Sequence, residues 1–211
     1  MRNHPLIRKE WQKNLKKKNR GILLDGAIHR PIVDSLENRE KRGRPDIIHH
    51  SLLNIVYSPL FKQGKIQVFI HTRNNLCLRI PSQWRVPVNY NRFCGLFSQL
   101  LLKKRVPLSG EPILTVTHCT LSKLLHQFAD SEIYLCDIPS ESVGGTVIIK
   151  NLMDLFPFSS GVFLIGGFQY GESEFETTDI NQDLVLLTIY DEVKPTWVIV
   201  AKIIQWLEAY S

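Results

Sequence analysis

The segment VFLIGGFQYG, residues 162–171, indicates the fold class of this chain. Its first four residues are apolar without alternation, as in a strand that is buried on both faces of a parallel sheet. Gly166, Gly167 and Gly171 follow the predicted strand. Glycines at the carboxyl end of a parallel strand let the backbone approach a ligand closely. The apolar run predicts an α/β fold, and the glycines indicate a candidate ligand loop. An ordinary exit from strand to turn is the alternative explanation of the glycines.

Three more short apolar runs support a parallel sheet, at residues 133–136, 147–149 and 184–189. A second loop, residues 188–197, follows the last run and precedes a helix that is predicted to begin at Pro195. The predicted inner stripe of that helix is Trp197, Val200, Ile204 and Leu207. Neither loop has the spacing of a dinucleotide or Walker motif, but two loops at one sheet favour a cofactor cleft.

The front half of the chain shows helix and strand periods instead. A helix is predicted from Asp46, with Pro45 in its first turn and Ser58-Pro59 at its end. Residues 65–72 alternate, and after the turn at residues 73–75 a second alternating strand predicts a β-hairpin. The next predicted helix contains Phe93 and Phe97 and is capped by Asn89 or Asn91.

Charge is segregated along the chain. Residues 1–105 carry 22 Lys and Arg against 6 Asp and Glu, whereas residues 106–211 carry 4 against 14, for a net charge of +6. This separation indicates that the front region meets nucleic acid and that the back region does separate work. The alternative is a dipolar surface without a partner.

Three arginines stand at the borders of ordered elements, namely Arg44, Arg85 and Arg92. Guanidinium groups held by rigid backbone suit phosphate contacts and stacking on bases. Surface salt bridges are the alternative, but acids are scarce in this half. Asp46 follows Arg44 at a helix start, where a simple N-terminal cap would also explain a carboxylate.

Other functional classes lack support in the sequence. The four cysteines form no CxxC pair, which indicates reduced residues of an intracellular protein. His49 and His50 lie on different helix faces, and no HExxH or Ser-His-Asp set is present, so metal and hydrolytic chemistry are disfavoured. No apolar run approaches the ~20 residues of a membrane span, and no signal peptide is present, so we expect a soluble protein.

Five motifs carry a resemblance to a known family: KRGRPDIIH (residues 41–49), SPLFKQG (58–64), VFIHTRNN (68–75), RVPVNYNRFCGLFSQLL (85–101) and IGGFQYG (165–171). In this order they resemble the ribosome-biogenesis methyltransferases that modify N1 of pseudouridine in small-subunit rRNA. The resemblance runs from about His4 to the C-terminus. It implies a single SPOUT methyltransferase domain over residues 1–211, with a parallel sheet, helices on both faces, a C-terminal trefoil knot and a basic insertion lobe at about residues 41–105 that contains a β-hairpin. It also implies a homodimer that uses S-adenosylmethionine and no metal.

The same resemblance assigns roles to residues. Arg44, Arg85 and Arg92 match RNA-binding arginines, and Asp46 matches an acidic residue that either orients Arg44 or helps to take the N1 proton. The matched cofactor-binding residues are Gly166, Gly171, Ile189, Tyr190, Asp191, Glu192, Val193 and Lys194.

The chain departs from the family pattern in four places. Val88 replaces an RNA-contacting arginine, Phe61 replaces an asparagine, and the second loop, TIYDEVKPTW, is looser than the family pattern. The family's first strand should end before Met1, so either the chain is truncated or another segment covers that edge.

Because of these departures, two alternative functions remain open. One is a non-catalytic rRNA-binding assembly factor with a degenerate cofactor cleft, and the other is a knotted methyltransferase with a different RNA target. The expected location is the cytoplasm of an archaeon or the nucleolus of a eukaryote.

Overall fold

Two four-stranded sheets, one antiparallel and one parallel, organise the chain in this computed structural model. The structure describes residues 23–138, 147–155, 157–169 and 184–210, together with the isolated positions Pro5 and Lys9. The helices are α1 (Arg30–Val33), α2 (Pro45–Tyr57), α3 (Pro59–Lys62), α4 (Tyr90–Lys103), α5 (Leu121–Leu125) and α6 (Thr196–Tyr210), with 3-10 turns at Arg39–Lys41, His126–Phe128 and Leu152–Leu155. The strands are β1 (Val68–His71), β2 (Leu76–Ile80), β3 (Arg105–Val106), β4 (Leu114–His118), β5 (Ile133–Cys136), β6 (Ile148–Ile149), β7 (Val162–Ile165) and β8 (Leu184–Leu187).

The antiparallel sheet has the order β1-β2-β4-β3 and contains the predicted hairpin. Val68 pairs with Ile80 and His71 pairs with Cys77, so the turn falls where the sequence predicts it. Strand β1 begins later than the predicted residue 65, because the Lys65 N–H donates to the Leu60 carbonyl at 3.0 Å. Residues 65–67 therefore form the exit from helix α3 rather than part of the ladder.

The parallel sheet has the order β6-β8-β5-β7 and confirms the prediction from the apolar runs. Cys136 at the end of β5 pairs with both Ile165 of β7 and Leu187 of β8. The carboxyl ends of these strands consequently meet at one edge of the sheet, where both predicted ligand loops begin. Within the described ranges, β7 pairs only with β5 and β6 only with β8.

Helices cover both faces of the parallel sheet, as the sequence predicts. Alternate strand residues point to opposite faces. Tyr134 and Leu187 pack in one cluster with Trp206 of α6, whereas Ile133 packs in another with Leu125 of α5. The buried stripe of α6 is broader than predicted, because it includes Ile203 and Trp206, while Trp197 and Leu207 are only partly buried.

Helix α2 forms the core of the front region together with α4 and the antiparallel sheet. Pro45 occupies its first turn and Ser58 ends it, as predicted, and the Ser58 hydroxyl accepts the Phe61 N–H of the next helix. Phe61 is 1% exposed, so this departure from the family pattern is a core substitution. Full burial of such a side chain contributes about 1.5–3 kcal/mol. Helix α4 is capped by Asn89, not Asn91.

The cysteines and the helix lengths can also be compared with the sequence predictions. All four cysteines are free thiols, as predicted. Among the helices that the structure describes, none is long and apolar enough to span a bilayer.

Candidate functional site

The start of helix α2 fixes a bidentate pair between Arg44 and Asp46. Gly43 precedes it with φ +72°, and a β-carbon there would lie 2.8 Å from Val33 Cγ2, so this turn favours glycine. Arg44 Nε donates to Asp46 Oδ1 at 2.9 Å and Arg44 Nη2 to Asp46 Oδ2 at 2.7 Å. The interpretation of Asp46 as a simple cap is therefore incomplete, since its main side-chain partner is the guanidinium of Arg44.

This pair makes Asp46 a weak base. Partial burial raises the pKa of Asp46, but the hydrogen bond and charge of Arg44, with the backbone N–H groups of Asp46 and Ile47, outweigh it and hold that pKa below its ordinary value. The hydrogen bond to Asp46 raises the pKa of Arg44. Both groups are thus charged at neutral pH, which suits orientation of Arg44 better than proton abstraction by Asp46.

Arg85 and Arg92 are exposed and stand on a segment that is fixed from beneath. Val86 is 2% exposed, and the Nε2–H of the buried His49 donates to the Pro87 carbonyl at 2.8 Å. The Asn89 side chain accepts the backbone N–H of Arg92 at 3.0 Å. Both guanidinium groups therefore project from ordered backbone.

Val88, between these two arginines, is 67% exposed. An arginine there would face solvent beside Arg85 and Arg92. The departure at Val88 thus removes a cation from the basic surface and not from a buried position.

The glycine loop at the end of β7 contacts helices α2 and α6. A β-carbon on Gly166 would lie 2.7 Å from the Phe168 ring, and one on Gly167 would lie 2.5 Å from Ile48 Cδ1. The Thr196 hydroxyl, at the start of α6, donates to the Gly166 carbonyl at 2.6 Å. The loop is therefore held by close packing and by a backbone hydrogen bond. Gly171 lies outside the described residues.

The second loop, residues 189–194, leaves strand β8 at the same sheet edge. Just before it, the Thr188 hydroxyl donates to the Asp137 carbonyl at 3.1 Å, which joins β8 to the exit of β5. Ile189 and Tyr190 are half-buried. The remaining predicted residues point outward or pair within the loop, since Asp191, Glu192 and Val193 are exposed and Lys194 contacts both Glu192 and the Tyr190 ring.

Helix α2 joins the arginine surface to these loops. It carries Asp46 at its start and packs Ile48 at Gly167. Further along, Asn54 Nδ2 donates to the Trp197 carbonyl at 3.0 Å. Arg44 and Gly166 also line one groove of about 1900 Å³. Of the predicted site residues, the groove thus brings Arg44 and Gly166 together, whereas Arg85, Arg92 and residues 189–194 do not line it.

A metal site has no support in the described part of the chain, where no group of three or more His, Cys, Asp or Glu residues could hold an ion. His49 is buried and bonded to Pro87, whereas His50 is exposed, as expected for residues on different helix faces.

The sequence did not predict a positioning role for five side chains that hold the arginine-bearing segments and the two loops in place. They are Asp25, His49, Tyr90, Thr188 and Thr196, and each forms a hydrogen bond to a residue at least four positions away. For Thr188 and Thr196 the sequence offered one indication of such a role, since both lie near the ends of the second predicted loop, residues 188–197.

The fold and the loops define an α/β protein that binds a ligand at the carboxyl ends of parallel strands, beside a basic surface. The sequence profile of one family, described as EMG1/NEP1 methyltransferase, matches residues 5–208. The chain therefore belongs to the EMG1/NEP1 methyltransferase family.

Two similar proteins are each named ribosomal RNA small subunit methyltransferase Nep1. That of Staphylothermus marinus is 35% identical over 202 residues, covering 95% of this chain and 85% of the relative. That of Pyrococcus furiosus is 32% identical over 203 residues, covering 96% and 86%. A similar solved structure is Archaeoglobus fulgidus Nep1 bound to S-adenosylhomocysteine, with a TM-score of 0.76, 27% identity, and coverage of 99% of this chain and 90% of that one.

Proposed function

We propose that this protein transfers the methyl group of S-adenosylmethionine to N1 of a pseudouridine in small-subunit rRNA, and so acts in small-subunit biogenesis. The family and the names of its relatives support an rRNA methyltransferase. The observation that carries the proposal is helix α2, which places the Arg44–Asp46 pair at one end and packs Ile48 against the glycine loop.

The loops at the parallel sheet fit a nucleoside cofactor. Gly166 and Gly167 carry no β-carbon because Phe168 and Ile48 fill that space, so this close packing fixes the backbone of the loop. Ile189 and Tyr190 offer half-buried side chains at the neighbouring loop. The bound S-adenosylhomocysteine of the Archaeoglobus fulgidus relative supports this assignment. When bound, S-adenosylmethionine supplies a methyl group that is activated by its sulfonium charge.

On the RNA side, Arg85 and Arg92 bind phosphates and Arg44 positions the base. An enzyme that modifies a base inside structured RNA must extract it, because the target atom is otherwise out of reach. Asp46 uses the Nε–H and one Nη2–H of Arg44, which leaves the remaining guanidinium donors for the substrate. Asp46 thus orients Arg44, alignment supplies the rate enhancement, and the N1 proton leaves to solvent.

Finer features of the fold belong to the same proposal. The strand order β6-β8-β5-β7 requires the chain to cross the parallel sheet repeatedly, which is compatible with a C-terminal trefoil knot, a rare exception among protein topologies. Residues of about 41–105, which contain the β-hairpin and the exposed Arg85 and Arg92, act as the basic insertion lobe. The family resemblance supports a homodimer, which sedimentation velocity of the purified protein tests.

The deciding experiment compares two RNA hairpins that differ only in having pseudouridine or uridine at one loop position. Each is incubated with the protein and S-adenosylmethionine and then analysed by mass spectrometry. We expect the mass of one added methyl group on the pseudouridine hairpin alone. Methylation of both hairpins would indicate a different target, and RNA binding without methylation would identify a non-catalytic assembly factor.

A further inference from the structure

We propose that Asp25 and Tyr90 are positioning residues, whose partly buried hydrogen bond holds the Arg44–Asp46 pair and the Arg85–Arg92 segment in fixed register. This inference rests on the proposed binding of rRNA by Arg44, Arg85 and Arg92. Neither residue belongs to the arginine surface itself, and they act through the backbone that carries it.

The hydrogen bond between Asp25 and Tyr90 joins two distant parts of the chain. Tyr90 Oη donates to Asp25 Oδ2 at 2.5 Å, across 65 positions of sequence. Asp25 is 8% exposed, and its other carboxylate oxygen accepts the Ala27 N–H at 2.9 Å. Burial and this carboxylate raise the pKa of Tyr90, so the phenol stays protonated and able to donate.

From Asp25 the connection runs to Arg44 through one backbone hydrogen bond. The Gly26 N–H donates to the Gly43 carbonyl at 2.7 Å, and Gly43 directly precedes Arg44. A β-carbon on Gly43 would lie 3.1 Å from Gly26 N, so the two turns are in close contact. The charge of Asp25 also contributes to raising the pKa of Arg44. Movement of the Asp25 turn would therefore move the guanidinium.

From Tyr90 the connection runs to the other two arginines. Tyr90 is the first residue of helix α4 and follows the cap Asn89, whose side chain holds the Arg92 N–H. The Tyr90 ring lies 5.7 Å from the ring of His49, which donates to the Pro87 carbonyl. The contact between Asp25 and Tyr90 thus sets the position of Arg44 relative to both ends of the 85–92 segment.

The variant Tyr90→Phe removes the donor and keeps the ring. Asp25 would then hold a buried carboxylate oxygen without its partner, a change that the turn relieves by moving. We expect the affinity for a pseudouridine hairpin to fall about tenfold, and the slope of log affinity against log salt to decrease by about one, as for a lost phosphate contact. The affinity for S-adenosylmethionine should stay unchanged.

Tyr134→Phe is the matched control. Tyr134 is 3% exposed and its hydroxyl also donates to a carboxylate, that of Glu132, but it lies in the parallel sheet. Because Glu132 is exposed and Asp25 is buried, we expect a loss of thermal stability in Tyr134→Phe no larger than in Tyr90→Phe. A change in RNA affinity and salt slope is expected only in Tyr90→Phe. A purely structural role for Tyr90 would leave the salt slope of the folded protein unchanged.

Fluorescence anisotropy of the labelled hairpin at several salt concentrations supplies the measurement. If wild-type protein binds the hairpin and Tyr90→Phe binds with the same affinity and slope, the positioning role is wrong. Failure of the wild-type protein to bind overturns the proposed function and this inference together. Should Tyr90→Phe not fold, Asp25→Asn replaces it, because it keeps the shape of the side chain but exchanges the charge-assisted bond to Tyr90 for a weaker neutral one. A threefold or larger loss of RNA affinity is then expected, about the effect of weakening one charged contact, and no loss overturns the inference.

Discussion

The two proposed binding surfaces, one beside the antiparallel sheet and one at the parallel sheet, are built in different ways. Beside the antiparallel sheet, side chains form the site through charge-assisted hydrogen bonds, as in the Arg44–Asp46 pair. At the parallel sheet, backbone turns form it through close packing at Gly166 and Gly167. The first site should therefore be sensitive to loss of charge and the second to added volume.

Asp46→Asn should have the largest effect. An amide cannot replace the two charge-assisted bonds that fix Arg44, and misplacement of a positioning group by about 1 Å can cost about 100-fold in rate. We expect single-turnover methyl transfer to a pseudouridine hairpin to fall by about that factor, while the affinity for S-adenosylmethionine is unchanged.

The matched control for this variant is Asp34→Asn, which breaks an exposed pair with Arg30 at 3.6 Å. Exposed pairs of this kind contribute little. Transfer by Asp34→Asn should equal that of the wild type, and unchanged transfer by Asp46→Asn would remove Asp46 from the mechanism.

Arg85→Ala and Arg92→Ala should come next. Both side chains are exposed, so the fold should persist, and each loss should weaken RNA binding about tenfold and lower the salt slope by about one. Fluorescence anisotropy measures the RNA affinity and calorimetry the cofactor affinity. Lys202→Ala, on the exposed face of α6, is the control. An equal loss of cofactor affinity in the arginine variants would contradict the separation of the two surfaces.

Gly167→Ala tests the proposed cofactor loop at the parallel sheet by adding volume instead of removing charge. Its β-carbon would lie 2.5 Å from Ile48 Cδ1, so the loop or Ile48 must shift. Overpacking of about 1 kcal/mol corresponds to about a fivefold loss of affinity for S-adenosylmethionine, which calorimetry can resolve. Gly95→Ala is the control, since a β-carbon there meets nothing within 4 Å. Loss of RNA affinity alone would show that the loop belongs to the other surface.

Val88→Arg should have the smallest effect, and it should increase RNA affinity. The residue is 67% exposed between Arg85 and Arg92, so a new guanidinium there should raise RNA affinity by a factor of about three to ten and the salt slope by about one. Val147→Arg has similar exposure, 65%, in the acidic half and should change neither quantity. Equal gains in the two variants would mean that net charge alone matters.

Local patterns were sufficient to predict much of the fold. Strands β5 and β7 read as uninterrupted apolar runs because both of their faces are covered. The hairpin and the Asn89 cap follow from turn and capping residues within a few positions of each other. Positions such as Arg44 and Gly166 were proposed as site residues because their motifs are contiguous in sequence.

Contacts between distant segments could not be predicted in this way. Tyr90 bonds to Asp25 across 65 positions, and Thr196 bonds to Gly166 across 30. Such pairs form only when helices and loops pack in one particular register. That register cannot be deduced from the local sequence around either residue. Asp46 differs, since Arg44 is only two positions away: a carboxylate at a helix start fits both a cap and an arginine partner, and the hydrogen-bond geometry shows the pair with Arg44.

Simultaneous binding tests the central claim, that two separate surfaces meet at helix α2. Native mass spectrometry of the protein with both S-adenosylhomocysteine and a pseudouridine hairpin measures this directly. The account predicts a species that carries both molecules. Species with either one, but never both, would contradict it.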